Sequence, residues 1–291
     1  MHPAPSVIIF TVLSGIGFAM LALLGIGQPE VNGFEAIPYY FVGITLAVIG
    51  LLASVFHLKN PKNAIKAFSQ FRSSWLSREG VFAVISLVQS TFVLAIKVVF
   101  GFHPLLSGGV SLIICSFTIF TTAMIYTQLK TVPRWNQWLT PFVFFLSSYT
   151  GAAIILGQVL LGFLLLLMLT VVQIAYWIIG DRAFSKRGHT IETATGLGRL
   201  GKAREFEPPH TGQNYLLNEM VYVVGRKHSI KLRTIGMLFL VGLPLPILWF
   251  FNVSFAMVVS VFCLHLVGLF ICRWLFFAEA EHVVGLYYDK R

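Results

Sequence analysis

The feature that constrains this chain most is a series of long apolar runs, about eight of them, each long enough to cross a bilayer. A helix needs about 20 mostly apolar residues to span a hydrocarbon core of about 30 Å. Lipid offers no partner for backbone N–H and C=O groups, so such a run must pair them within itself, as a helix does. Runs of this kind occupy 7–27, 38–56, 81–100, 105–126, 142–157, 159–179, 234–251 and 255–274. The fifth and sixth come from one stretch, 142–180, which as a single helix would be roughly 58 Å long. A break near Gly157 and Gln158 is therefore expected, and a second at Asn252 separates the seventh run from the eighth. Composition agrees: 57% of the 291 residues are hydrophobic and 11% charged, too little polar surface for a soluble domain of this size. The expected fold class is an all-α integral membrane bundle of about eight helices, in a single membrane domain over 1–291.

Charge is partitioned between the loops. Lys59, Lys62, Lys66, Arg72 and Arg78 follow the second run, and Lys130 and Arg134 follow the fourth. Ten more basic residues lie between Arg182 and Arg233, and Lys290 and Arg291 end the chain. The alternate loops carry only Glu30, Glu35 and His103. By the positive-inside rule the basic loops and both termini belong on the cytoplasmic side of a multi-pass protein of the bacterial inner membrane. That rule also accounts for the net charge of +10 without nucleic acid. Segment 181–231 is long for a connection and contains the apolar patch Tyr215, Leu216, Leu217, Met220, Val221 and Tyr222, with a short helix expected over 215–224. It reads as an ordered cytoplasmic surface that docks a partner.

Several chemistries are excluded. The three cysteines, Cys115, Cys263 and Cys272, all lie in apolar runs and form no CxxC, which leaves no ligand set for zinc or an iron–sulfur cluster. His265 is the only mid-span histidine, so a bis-histidine haem has no second ligand. Lys97 and Arg273, near span ends, are expected to snorkel. Gly196–Lys202 fits GxGxxG in form, but position 203 is alanine and no strand precedes it. Trp135 and Trp138, in TVPRWNQWLTP, read as an interfacial aromatic belt.

One segment suits redox chemistry. In HLKNPKNAIKAFSQFRSSWLSREG, which starts at His57, the groups His57, Ser77 and Glu79 sit at membrane depth near one surface. Phe71 and Trp75 can bed a ring. A quinone takes up two electrons and two protons, so it needs hydrogen-bond partners for its oxygens, a proton donor and an apolar bed. The lysines there read as headgroup anchors.

This run, the TVPRWNQWLTPFVFFLSSYTGAA run at Thr131 and the eight-span plan resemble the DmsC-type anchor of dimethyl sulfoxide reductases. Within that family the SoeC-like anchor of membrane-bound sulfite dehydrogenases is the branch it resembles most. The resemblance implies a three-subunit complex. A molybdopterin catalytic subunit passes electrons to an iron–sulfur subunit, which docks on the anchor. The anchor binds quinone (ubiquinone or menaquinone) and holds no haem or metal. It also implies that His57 and Pro61 form the family's HLxxP motif, that Ser77 and Glu79 are its serine and following acid, and that Arg273 is the arginine near the end of the last span. Asn63 stands where reductases of dimethyl sulfoxide have an arginine, so Arg72 or Arg78 would take its place. The basic face, as the docking face, favours cytoplasmic sulfite oxidation with quinone as acceptor. The alternatives are a dimethyl sulfoxide-type reductase drawing on quinol and, in another class, a secondary transporter, for which no inverted repeat is found.

Overall fold

The computed structural model describes residues 1–56, 60–204, 206–207, 212, 218–222 and 224–288. Regular structure among them is entirely helical. The helices are α1 (Pro5–Gly25), α2 (Ala36–Val55), α3 (Trp75–Phe100), α4 (Leu105–Thr127), α5 (Leu139–Ile155), α6 (Val159–Arg187), α7 (Ile191–Thr195), α8 (Ser229–Met237), α9 (Pro244–Phe250) and α10 (Phe255–Ala278). A π-helical turn, Leu238–Gly242, joins α8 toward α9, so these form one span. Among the described residues seven spans are long and apolar enough to cross a membrane, and α5, of 17 residues, is a shorter apolar helix beside them. The bundle of about eight helices expected from the sequence is therefore present.

The breaks have local causes. Gly157 takes a left-handed φ of +69°, which ends α5 and lets α6 start two residues later. At the other break Ser254 caps α10, its hydroxyl accepting from the Met257 N–H at 3.2 Å. The sixth helix is longer than its apolar run. It continues through Asp181 and Arg182 to Arg187 and stops at Gly188, with φ +61°. The first part of the long basic segment is thus helical. Of the helix expected over 215–224, residues 215–217 and 223 lie outside the described residues, and of the rest only 218–219 are α-helical.

α1 is the centre of the bundle. Of its most apolar stretch 78% is buried, against 28% in α2, α3 and α6, and it packs on α2, α4 and α5. Helices in lipid gain little from hydrophobic exclusion and associate through close backbone approach. At Gly17 a methyl group would lie 2.4 Å from the Ala47 nitrogen, which is why α1 and α2 can pack without side chains between them. Successive spans alternate in direction. Both ends of the described chain meet at the basic end, where the Met1 amine donates to the Ala280 carbonyl at 2.7 Å and the His2 N–H to the Glu219 carbonyl at 2.8 Å.

The seventh span explains the mid-membrane histidine. Pro244 has no N–H to give the Leu240 carbonyl, the acceptor four residues back. The turn widens, with the Leu243 N–H bonding the Leu238 carbonyl at 2.8 Å. The imidazole of His265 takes the vacant role, its Nδ1 lying 2.9 Å from the Leu240 oxygen, which places the proton on Nδ1. Gly268 lets α10 approach this turn, because a Cβ there would sit 2.1 Å from the Leu240 nitrogen. His265→Ala is expected to leave that carbonyl without a donor and to cost about 1–3 kcal/mol. Thermal denaturation in mild detergent checks this, and a wild-type melting curve would refute the assignment.

Candidate functional site

α3 begins at the basic end of the bundle. Asn60 is extended, and Pro61 opens a 3₁₀ stretch, Pro61–Gln70, where its missing N–H is not needed. Ser74 then caps α3, accepting from the Ser77 N–H at 3.4 Å. Arg78 fastens the connection: its guanidinium donates to the carbonyls of Phe71 (3.0 Å) and Arg72 (2.7 Å) and lies over the Trp75 ring at 4.3 Å. It is occupied as a staple, while Arg72 is exposed on the surface. His57 lies outside the described residues.

Glu79 is buried, 4% exposed, one turn into α3. The Thr122 hydroxyl of α4 donates to its Oε1, and no ion pair to Glu79 is found among the described residues. Trp75 and Phe82 stand at i−4 and i+3, on the same side of the helix as the acid. They belong to an aromatic wall: Trp75 meets Phe120 edge-on at 6.0 Å, Phe82 meets Phe117 at 4.6 Å, and Phe71 adjoins Phe82 at 6.2 Å. Phe71 and Phe117 reach the exterior, 43% and 39% exposed. Ser77 is buried and its hydroxyl has no partner among the described residues. It lies about 200° around α3 from Glu79, so these two groups do not converge.

Two expectations on span-end residues are corrected. Lys97 and Arg273 do not snorkel: they are 0% and 3% exposed. Lys97 donates inward to the carbonyls of Leu24 (3.2 Å) and Val31 (3.1 Å), closing the end of α1. The Arg273 guanidinium lies 3.6 Å from the Phe144 ring centre and donates to Ser147 Oγ at 3.3 Å. Carbonyls and ring faces inside the protein offer these charges more than a lipid interface does. Arg273 lies instead against Phe144 and Phe276, and Tyr126 packs on the same two rings. The tryptophan belt is half right. Trp138 is 67% exposed, but Trp135 is buried, stacked on Phe276 and donating to its carbonyl at 2.8 Å.

Thr122 and Tyr126 were not marked by the sequence, and neither was the ion cluster at this end. Arg134 pairs with Asp181 and with Glu279 (3.2 Å), and Arg233 pairs with Asp181 (2.6 Å) and Glu279 (2.7 Å). These four residues come from four separate parts of the chain. Charge partition placed the arginines at one end, but only the fold shows which acids they meet. No group of three or more His, Cys, Asp or Glu is placed to hold a metal among the described residues. A cavity of about 620 Å³ opens between α1, α2, α5 and α10 at the opposite end and is lined by apolar residues such as Met20, Val42 and Phe262. It has no part in this site.

A polytopic helical bundle with a buried carboxyl at its basic end fits the class of membrane anchor subunits. Residues 1–180 match the family described as DMSO reductase anchor subunit (DmsC). The chain is also 31% identical, over 329 aligned positions covering 100% of it and 99% of the relative, to a protein of Allochromatium vinosum named as a sulfite dehydrogenase subunit. The chain belongs to the DmsC family of molybdoenzyme membrane anchors. No solved structure matches it.

Glu279 is 2% exposed between two guanidinium groups. Glu279→Ala should therefore leave two partly buried guanidinium groups with Asp181 as their one remaining acid and lower stability by about 1–3 kcal/mol, read as earlier thermal aggregation of the solubilised protein. An unchanged transition would show the cluster to be incidental.

Proposed function

We propose that this chain is the quinone-reactive anchor of a complex that oxidises sulfite on the cytoplasmic side and passes the electrons to quinone in the membrane. The observation that carries this reading is Glu79: a buried carboxyl held by one hydroxyl, at the basic end of the bundle, flanked by an aromatic wall that reaches the lipid-facing surface. A ring arriving from the bilayer can lie against Trp75, Phe82 and Phe117. Glu79 can give a proton to a ring oxygen, and Thr122 keeps the carboxyl oriented. His57, Ser77, Pro61, Arg72, Arg78 and Arg273 complete the proposed set, with different tasks. His57 is the second proton group and Ser77 a hydroxyl partner. Pro61 and Arg78 shape the connection, Arg72 presents charge at the surface, and Arg273 supports the core behind Tyr126.

The name of the Allochromatium vinosum relative and the charge rule together favour sulfite oxidation over reduction of dimethyl sulfoxide. The electrons come from an iron–sulfur subunit supplied by a molybdopterin catalytic subunit. With electrons delivered directly to the ring, the site must lie beneath the docked partner. The basic loops, including 181–231, share that end of the bundle and are the proposed dock. A reductase anchor working from quinol would use the same residues in reverse.

Glu79→Gln keeps the shape and removes the exchangeable proton. Quinone reduction by the purified complex should fall about 10²-fold or more, while oxidation of sulfite with a soluble dye is retained. Wild-type quinone turnover in this variant and in His57→Ala would sink the site. Protease added to spheroplasts should leave the basic loops intact, and added to inverted vesicles should cut them; the reverse pattern would overturn the cytoplasmic orientation.

A further inference from the structure

Glu79 and Lys97 are the two ends of a polar seam between α3 and α4 that crosses the bundle. On α3 the residues Glu79, Ser86, Ser90 and Lys97 follow one another at intervals of seven, four and seven, which keeps them on one face. On α4 the facing residues are Thr122, Thr118, Cys115 and Ser111. None of the eight is more than 6% exposed. Eighteen residues of helix separate Glu79 from Lys97, about 27 Å at 1.5 Å per residue, nearly the whole hydrocarbon depth. Hydrogen bonds run along the seam in separate segments. Thr122 donates to Glu79 and lies 3.1 Å from the Thr118 carbonyl. The Thr118 and Ser86 hydroxyls are 2.8 Å apart. Ser90 lies 3.7 Å from the Cys115 thiol and 3.3 Å from the Ser111 hydroxyl.

Hydroxyls between membrane helices also act as packing contacts, and that role accounts for the middle of the seam. It does not account for Glu79. A buried carboxyl is a costly group, and ionisable residues inside a membrane mark ion and proton pathways; Lys97, which closes the end of α1, brings a second ionisable group to the far end of the seam. A third polar group points the same way. Tyr40 of α2 is 0% exposed and its hydroxyl has no partner among the described residues. Its ring lies 5.8 Å from the Lys97 ammonium, and Tyr40 is in electrostatic reach of Cys115. It stands beside the lysine, at the end of the seam where the hydroxyl series gives out. Beyond Lys97, in the loop before α4, both ring nitrogens of His103 are buried without a hydrogen-bond partner among the described residues.

We propose that the α3–α4 seam is a proton route through the membrane, joining Glu79 to the face opposite the basic loops. Its coupling to quinone rests on the reading above; the route itself does not. Within each bonded segment a hydroxyl oxygen accepts a proton from one neighbour and releases its own to the next, and rotation of the side chains connects one segment with the following one. When a quinone takes two electrons from the partner subunit, two protons complete the quinol. Glu79 hands them over and is reprotonated through Thr122 from the Lys97 end.

The test uses the whole complex in liposomes, basic face outward, with quinone in the bilayer, reduced viologen as electron donor and a pH-sensitive dye in the lumen. Quinone reduction should raise the lumenal pH. In the variant combining Thr118→Val and Ser90→Ala, which keeps the packing volume nearly constant, lumenal uptake per quinone reduced should fall at least tenfold. Cys115→Ser, which keeps a donor and acceptor in place, should retain it. Quinone reduction without lumenal alkalinisation in the wild type, or equal alkalinisation in the double variant, would overturn the route. If no quinone is reduced, the quinone reading fails instead. The seam is then judged by proton influx under a potassium diffusion potential: faster influx in wild type than in the double variant supports it, and equal influx overturns it.

Discussion

Inside a bilayer a polar group cannot fall back on water, and most of this structure follows from how each such group is satisfied. Pro244 removes one backbone donor, and the consequence reaches across to α10. The Leu240 carbonyl is freed, the turn widens, and the His265 imidazole supplies the missing hydrogen bond. At the far end α1 stops with unpaired carbonyls, as every helix does, and the Lys97 ammonium takes one of them together with the Val31 carbonyl. Arg273 is met by a phenyl face and a serine. These charged or titratable side chains are built into backbone and ring partners. Glu79 differs in kind: its partner is a hydroxyl, which can both donate and accept, so its proton can move without dismantling a helix end.

The same accounting explains where the site lies. Arg134, Arg233, Asp181 and Glu279 bind the ends of α6, α8 and α10 to the segment before α5. Charges so close to the membrane are tolerable because they neutralise one another. Together they make the basic end rigid at the aqueous boundary, with the exposed lysines and arginines left over for a partner surface. The opposite end has no such cluster among the described residues; it has the apolar cavity between α1, α2, α5 and α10. The ion cluster and the buried Glu79 lie at the same end, the one proposed to meet a partner subunit.

Much of this architecture was legible in the sequence because the bilayer reduces folding to length and polarity. Run length showed the spans, the improbable length of 142–180 exposed the break at Gly157, and loop charge showed the alternation. Glu79 was legible because an ionisable group at membrane depth is costly. Side-chain fates were less so. Lys97 near a span end reads as snorkelling, and only the three-dimensional position of the α1 carbonyls shows why it turns inward. Trp135 and Trp138 are three residues apart in one motif, yet one is core and the other faces lipid, a difference set by Phe276 from the far end of the chain. Thr122 is one of several hydroxyls in a mostly apolar helix, and nothing in its own segment marks it as the partner of an acid 43 residues earlier.

The two sides of Glu79 have different surroundings, and the difference bears on what can reach it. Outward lie Trp75, Phe82, Phe117 and Phe71, of which Phe71 and Phe117 are exposed. On the proposed reading a lipid-soluble ring enters there. On the other side lies Thr122, and deeper in the bundle Tyr126, Trp135, Phe144 and Phe276 pack ring on ring. The hydroxyls that continue from Thr122 run instead along α3 and α4. On the proposed reading, an acid with an exposed aromatic wall on one side, aromatic packing behind it and hydroxyls along one seam has separate approaches for an apolar carrier and for protons.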